Sequence, residues 1–480
     1  MDFAVATPSV STQLTNGARA DSFPVTMTED KSAELLELAS DLVTRARRAG
    51  ADIAEAGARA GWELSARIRL GEPEIVEEAG HRSVWLRVIK AQRVAITATS
   101  DLSQRGIERC VADALMLVEL SEADPFAGPA DAELLSAAPH PDLDLFDPAV
   151  ETIDADQAIS RAKEAERAAL DSDPRFKLSE GGAFSRTTSQ SALVLSSGFT
   201  GALRGSYASL VVTPVVEDTD GKRRRGYYWT AKRHLSELEP GTSVGAEAAR
   251  RTLAKLGAQK VPTCEAPVVF DADAARSLLG TFASCILGGA IWRKSSYLLE
   301  REGSEVASSL VTVIDDPMLP RAPGSRPFDG EGLRSRKNVV VKDGVLETFL
   351  LDSYSARKLG RTSTASAARS GGSVSASTTN FVLQPGNMTR DELVRSTPRG
   401  LYVTEMMGFG FNPITGDFSR GASGFWIENG EFAFPVSEIT VSSNLDAMLK
   451  GIDAVADDLD LKTSTAAPTL RVAAMTIAGT

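Results

Sequence analysis

Histidine and cysteine are scarce in this chain, three of each among 480 residues. His81, His140 and His234 stand far apart, and none has a second His or Cys at metal-ligand spacing, so no local metal-binding motif is present. Cys110, Cys264 and Cys285 are odd in number and widely separated, which argues against a disulfide framework and fits a reducing cytoplasm, the expected location. No stretch approaches 18 consecutive apolar residues, so no membrane-spanning helix is expected. The N-terminus lacks the basic region and apolar run of a signal peptide. Positive charge is also in deficit. A net charge of −12 argues against nucleic acid or an anionic membrane as the main partner. The clusters Arg45-Ala46-Arg47-Arg48 and Lys222-Arg223-Arg224-Arg225 then read as a solvated helix end and a hairpin tip.

At 42% apolar and 24% charged residues, the chain can bury several cores without covalent help. Residues 1–27 read as a flexible tail, with Thr28 as a candidate helix cap. Leu35, Leu38, Leu42 and Val43 recur at helical spacing until Gly50. Strand patterns follow at 63–70, 83–89 and 93–99, a second helix through Ile107, Val111, Leu115 and Val118, and an extended Pro/Asp/Ala-rich connection at 122–149. Residues 155–170 form a third helix, 178–235 return to strands, and 246–256 are helical. Gly257 and Pro262 interrupt the pattern, which places a domain boundary there: an N-terminal domain over 28–262 and a C-terminal domain over 263–480.

The second half opens on a strand at 267–270 and a helix from Ala272. Residues 338–351 predict a hairpin turned at Asp343-Gly344, and 424–434 one turned at Asn429-Gly430. The Ser/Thr/Gly-rich segment 362–379 reads as an ordered loop. Without a regular βαβ rhythm the class is α+β, with a mixed sheet in the N-terminal α/β domain and a C-terminal domain rich in antiparallel strands, barrel- or sandwich-like.

Chemical motifs are few. Ser355-Ala356-Arg357-Lys358 matches Ser-x-x-Lys, but its companion Ser-Asp-Asn and Lys-Thr-Gly elements are absent, so a helix end explains it better than an independent hydrolase. There is no Gly-x-Ser-x-Gly elbow, phosphate-binding loop or dinucleotide fingerprint. The distinctive stretch is 411–431, punctuated by Gly416, Gly421, Gly424 and Gly430. Its glycines suit tight turns or close backbone approach, Asp417, Ser419 and Glu428 can anchor loop amides, and Trp426 is a packing anchor.

Asn412 to Glu431, followed by Pro435-Val436-Ser437-Glu438-Ile439-Thr440 and Asn444-Leu445, resembles the TldD/PmbA family in its TldE (PmbA) branch. The likeness extends to Leu256-Gly257-Ala258, the Asp329-Gly330-Glu331-Gly332 loop, the 338–351 hairpin and the C-terminal tail. In that family the TldD subunit is a zinc peptidase with His-Glu-x-x-x-His on the helix that follows the opening strand of the C-terminal domain, and a late cysteine completes the ligand set. Here Gly280, Thr281 and Cys285 stand at the two histidine positions and the glutamate position, and no cysteine follows Cys285.

The resemblance therefore implies a non-catalytic subunit with no metal of its own, with zinc carried by a TldD-like partner in a heterodimer that processes extended peptides. On that view Asn412, Thr415, Gly416, Asp417, Ser419, Gly421, Gly424, Trp426 and Glu428 are interface or chamber residues. The alternative is a homodimeric peptide-binding or regulatory protein of the same fold.

Overall fold

The structure is a computed structural model that describes residues 30–479. The expected tail 1–27 and the Thr28 cap lie outside the described residues.

Helix Ser32–Arg48 buries Leu35, Ala39, Leu42, Val43 and Ala46, and the chain leaves it through Gly50 at a positive φ of 104°. A seven-stranded sheet follows, in the order Arg93–Thr99, Glu72–Lys90, Ile53–Arg69, Leu178–Leu195, Thr200–Glu217, with Arg223–Arg225 and Tyr228–Lys232 both on the last of these. One face of strand Ile53–Arg69 presents Ala54, Ala56, Ala58 and Ala60, all fully or nearly fully buried. Such short side chains let helices Ser32–Arg48 and Gln104–Leu120 pack close to the strands. Helices Ala155–Leu170 and Gly241–Leu253 cover the other end of the same face, also through alanines. The capping box of Asp154 and Gln157 fixes the start of the first of this pair.

The N-terminal sheet corrects one expectation: it is not mixed, because every pairing in it is antiparallel. The reason is local. Leu70-Gly71 and Ala91-Gln92 adopt positive φ and turn successive strands straight back as hairpins, with no crossover helix to make them parallel.

Parallel pairing occurs in the C-terminal half. There Glu431–Asn444, Asp417–Glu428, Arg399–Met407, Cys264–Phe270 and Leu470–Ala478 follow one another in a sheet. Thr440 then pairs with Ala478, so five strands close into a barrel. Arg399–Met407 runs parallel to Cys264–Phe270, and the other barrel pairs are antiparallel. A second sheet contains Val345–Leu346, Asn338–Lys342, Val313–Asp315, Phe381–Leu383 and Thr465–Ala466. The fold is thus α+β with antiparallel and mixed sheets. No helix among the described residues is long and apolar enough to cross a membrane.

The segment read as an ordered loop at 362–379 contains a hairpin, Ala367–Ser370 with Ser373–Ala376, turned at Gly371-Gly372. From it Arg369 reaches Glu55 of the N-terminal sheet at 2.5 Å, and Arg87 meets the same carboxylate at 2.9 Å. The connection 122–149 also spans the two halves. Arg357 donates to the carbonyls of Phe126, Gly128 and Pro129, and Tyr354 Oη donates to Asp124 at 2.6 Å.

Candidate functional site

Gly280, Thr281 and Cys285, which the resemblance sets at the metal-motif positions, lie on helix Ala272–Ile286. Asp271 caps it, accepting from Ala274 N at 2.8 Å, while its own N–H donates to Val403 O and ties the helix start to the barrel. Leu278, Leu279, Phe282 and Ile286 enter the C-terminal core. The opposite stripe, Ser277, Gly280, Thr281 and Ser284, is partly or fully exposed, as spacing of i, i+3, i+4 and i+7 requires.

On that stripe Gly280 offers no side chain, and a Cβ built there meets nothing within 4 Å. The Thr281 hydroxyl donates to Ser277 O at 3.0 Å. Cys285 points the other way. It is fully buried in the core with Sγ 3.6 Å from Thr281 O, and burial pushes its thiol up to about 11. A zinc ion needs deprotonated or neutral donors aimed at one point, and these three residues do not fit one. Among the described residues no three His, Cys, Asp or Glu side chains are grouped to hold a metal.

The stretch 411–431 differs from its expected form. It is a tight turn followed by strand Asp417–Glu428, hydrogen-bonded to neighbours on both sides. In the turn, Asn412 Oδ1 accepts from Ile414 N, Gly416 takes φ 79°, and Thr415 Oγ1 donates to Asp417 at 2.6 Å. Asn444 closes it by donating to Thr415 O at 2.8 Å. Ser419 meets Ser442, hydroxyl to hydroxyl, at 2.9 Å. Gly421 and Gly424 sit within the strand, Gly424 with the Tyr402 carbonyl close against it, and Trp426 packs in the core. Glu428 is exposed beside the Asn429-Gly430 turn. These residues do not converge. At a rise of roughly 3.3 Å per residue, the strand from Asp417 to Glu428 spans up to about 36 Å. The residue in this stretch that does reach helix Ala272–Ile286 is Arg420, which donates to Ser277 Oγ at 2.9 Å. Its signal was in the sequence: it alternates in step with Phe418, Ala422 and Trp426, yet carries a charge.

Ser355 and Lys358 do not form a catalytic pair. The buried Ser355 hydroxyl donates to Asp352, its helix cap, whereas Lys358 Nζ lies over the Phe126 ring at 4.2 Å and pairs with Asp124 at 3.7 Å.

A cavity of about 150 Å³ lies on the outer side of the barrel, against helix Gly241–Leu253. Arg251, Asp271, Arg390, Tyr402 and Phe432 are among the residues that line it. Burial pushes the Asp271 carboxyl up to about 7; the Ala274 amide opposes this and Asp273 adds to it. Between the ordinary carboxylate range and about 7, the folded chain therefore holds a proton that the unfolded chain has lost. Stability falls as pH rises through that window. Asp271→Asn keeps a capping oxygen and removes the charge. It should melt at least about 2 °C above wild type at pH 8, with the difference vanishing near pH 4, as read by thermal unfolding across pH.

Family profiles described as PmbA/TldA metallopeptidase domain 1, central domain and C-terminal domain match residues 54–117, 148–256 and 263–479. The metalloprotease PmbA of Escherichia coli O157:H7 is 38% identical over 418 residues, covering 87% of this chain and 90% of that protein. This chain belongs to the PmbA/TldD metallopeptidase family. A metalloprotease PmbA homologue of Haemophilus influenzae is 36% identical, covering 93% of this chain and 96% of that protein. A TldD homologue from the same organism is 31% identical over 52% of this chain, so PmbA is the nearer of these two branches. Among solved structures, one from Bacteroides thetaiotaomicron, described as a candidate modulator of DNA gyrase, superposes with a TM-score of 0.88 at 26% identity and covers 94% of this chain and all of that one. TldE of Thermococcus kodakarensis superposes at 0.82 with 19% identity, over 92% of this chain and all of that one, a likeness of fold.

Proposed function

We propose that this chain is the non-catalytic subunit of a heterodimeric, TldD/TldE-type zinc metallopeptidase in the cytoplasm, acting on flexible or unfolded peptides such as leader peptides or antitoxins. One observation carries the reading. The family scaffold is intact, yet the helix that would bear the zinc ligands carries Gly280, a Thr281 turned onto its own backbone, and a Cys285 sealed in the core. The metal and the general base would belong to a TldD-like partner with His-Glu-x-x-x-His.

An exposed apolar surface at the entrance to strand Asp417–Glu428 supports a partner-facing role. Phe409 is 100% exposed between Gly408 and Gly410 on the connection into strand Asp417–Glu428, with Ile414 on the same connection and Met407 at the end of strand Arg399–Met407 also exposed. A fully exposed phenylalanine among other exposed apolar side chains is a common mark of a contact surface.

The test is expression of this chain and a TldD-like partner separately and together. Expected is no cleavage of an unfolded peptide by this chain alone, efficient cleavage by the pair, and co-elution of the two chains. A partner that cleaves equally well without this chain would sink the proposal. A homodimer persisting in excess partner would favour the alternative of a stand-alone peptide-binding protein.

A further inference from the structure

Strand Asp417–Glu428 places Phe418, Ala422 and Trp426 in the C-terminal core. Arg420 lies on the same side of the strand, between Phe418 and Ala422, and pairs across the sheet with Val441, itself a core residue. A guanidinium is thus held at the edge of an apolar core. Its Nη1 donates to Ser277 Oγ at 2.9 Å, and its Nε is shut off from solvent with no hydrogen-bond partner. Burial lowers its pKa, and no carboxylate opposes that shift. A partly desolvated cation without a counter-charge is unfavourable, and an anion arriving beside it regains much of the lost solvation.

The surroundings leave room for one. Gly280 stands one helical turn beyond Ser277 on the same stripe, with nothing within 4 Å of where its Cβ would be. The neighbouring hydroxyl protons are already engaged: Thr281 donates to Ser277 O at 3.0 Å and Ser284 to Thr281 O at 2.7 Å. Ser277 is different. Its oxygen accepts from Arg420, which leaves its own proton free to donate. Arg420 of the strand and Ser277 of the helix stripe therefore stand side by side as two donors, one of them charged. Arginine favours carboxylates through its planar set of N–H groups.

We propose that Arg420, assisted by the Ser277 hydroxyl, binds a carboxylate of the extended peptide, either its C-terminal carboxylate or an acidic side chain. This rests on the reading above that the subunit serves a peptidase of flexible peptides, and it adds that the peptide reaches this face. The position of the erased metal motif thereby becomes an anion-binding point that orients the peptide without cutting it.

The experiment is fluorescence anisotropy on the purified chain with three labelled, unstructured peptides of one sequence: the free acid, the C-terminal amide, and the amide with a central Gln replaced by Glu. At least one carboxylate-bearing peptide should bind about tenfold more tightly than the neutral amide, and which one does identifies the source. Arg420→Ala should erase the difference, and Arg420→Lys should restore part of it. Equal affinities for all three peptides in the wild-type chain, a preference that survives Arg420→Ala, or no binding at all would overturn the proposal. The wild-type comparison requires no variant to fold. Partner-dependent cleavage is measured separately, so failure here leaves the subunit assignment standing, and failure there leaves this result readable.

Discussion

Arg369→Ala is expected to destabilise the chain by about 3–5 kcal/mol, because it leaves a buried carboxylate short of one counter-charge. Glu55 is 3% exposed and meets Arg369 at 2.5 Å and Arg87 at 2.9 Å. Arg369 also donates to the carbonyls of Gly330 and Gly372 and lies over the Trp85 ring, its Cζ 4.7 Å from the centroid. This one side chain therefore joins the small C-terminal hairpin to the N-terminal sheet. Burial alone pushes the Glu55 carboxyl up, but Arg369 and Arg87 outweigh it and hold it below the usual carboxylate range. A depressed folded pKa makes this contribution fully present above the ordinary value of 4.5 and lost as pH falls through the folded value. Denaturant unfolding at pH 7 should show the full loss, and the gap between wild type and variant should narrow in acid. An unchanged midpoint at pH 7 would remove the triad from the account of how the halves are joined.

The second large effect separates two glycines of the 411–431 stretch. A Cβ on Gly424 would fall inside the contact shell of the Tyr402 carbonyl oxygen, at a point where the register of both neighbouring strand pairs shifts. The obstacle is main chain within a closed barrel, so no side-chain rotation relieves it. Gly424→Ala should lower stability by at least about 3 kcal/mol or abolish soluble expression. At Gly421 the nearest atom to the added Cβ is Met407 Cβ at 3.5 Å, an ordinary contact. Gly421→Ala should stay within about 1 kcal/mol of wild type. Similar melting curves for the two variants would refute this reading of the stretch.

Those glycines show how far local pattern carries. Gly416 and Gly430 do sit at turns, with φ of 79° and 78°. Gly421 and Gly424 looked alike in the sequence but lie inside a strand, and only Gly424 accommodates a neighbouring strand's backbone. Helix Ala155–Leu170 was legible to its ends, since its periodicity and its Asp154 cap are both local. Strand Ile53–Arg69 was legible only from residue 63. Its first half, Ile53-Ala54-Glu55-Ala56-Gly57-Ala58, has little strand propensity and is extended because strands pair with it on both sides.

The sequence by itself determined the α+β class and the family, since each depends on which residue stands at which position. Tertiary structure decided the rest. Arg420 and Ser277 are 143 residues apart, and Arg369 and Glu55 are 314 apart. Barrel closure and strand register bring such pairs together, and no local periodicity encodes them. Only the fold turns Cys285 inward, leaves Gly280 facing open space, and sets Arg420 against Ser277 on the same helix.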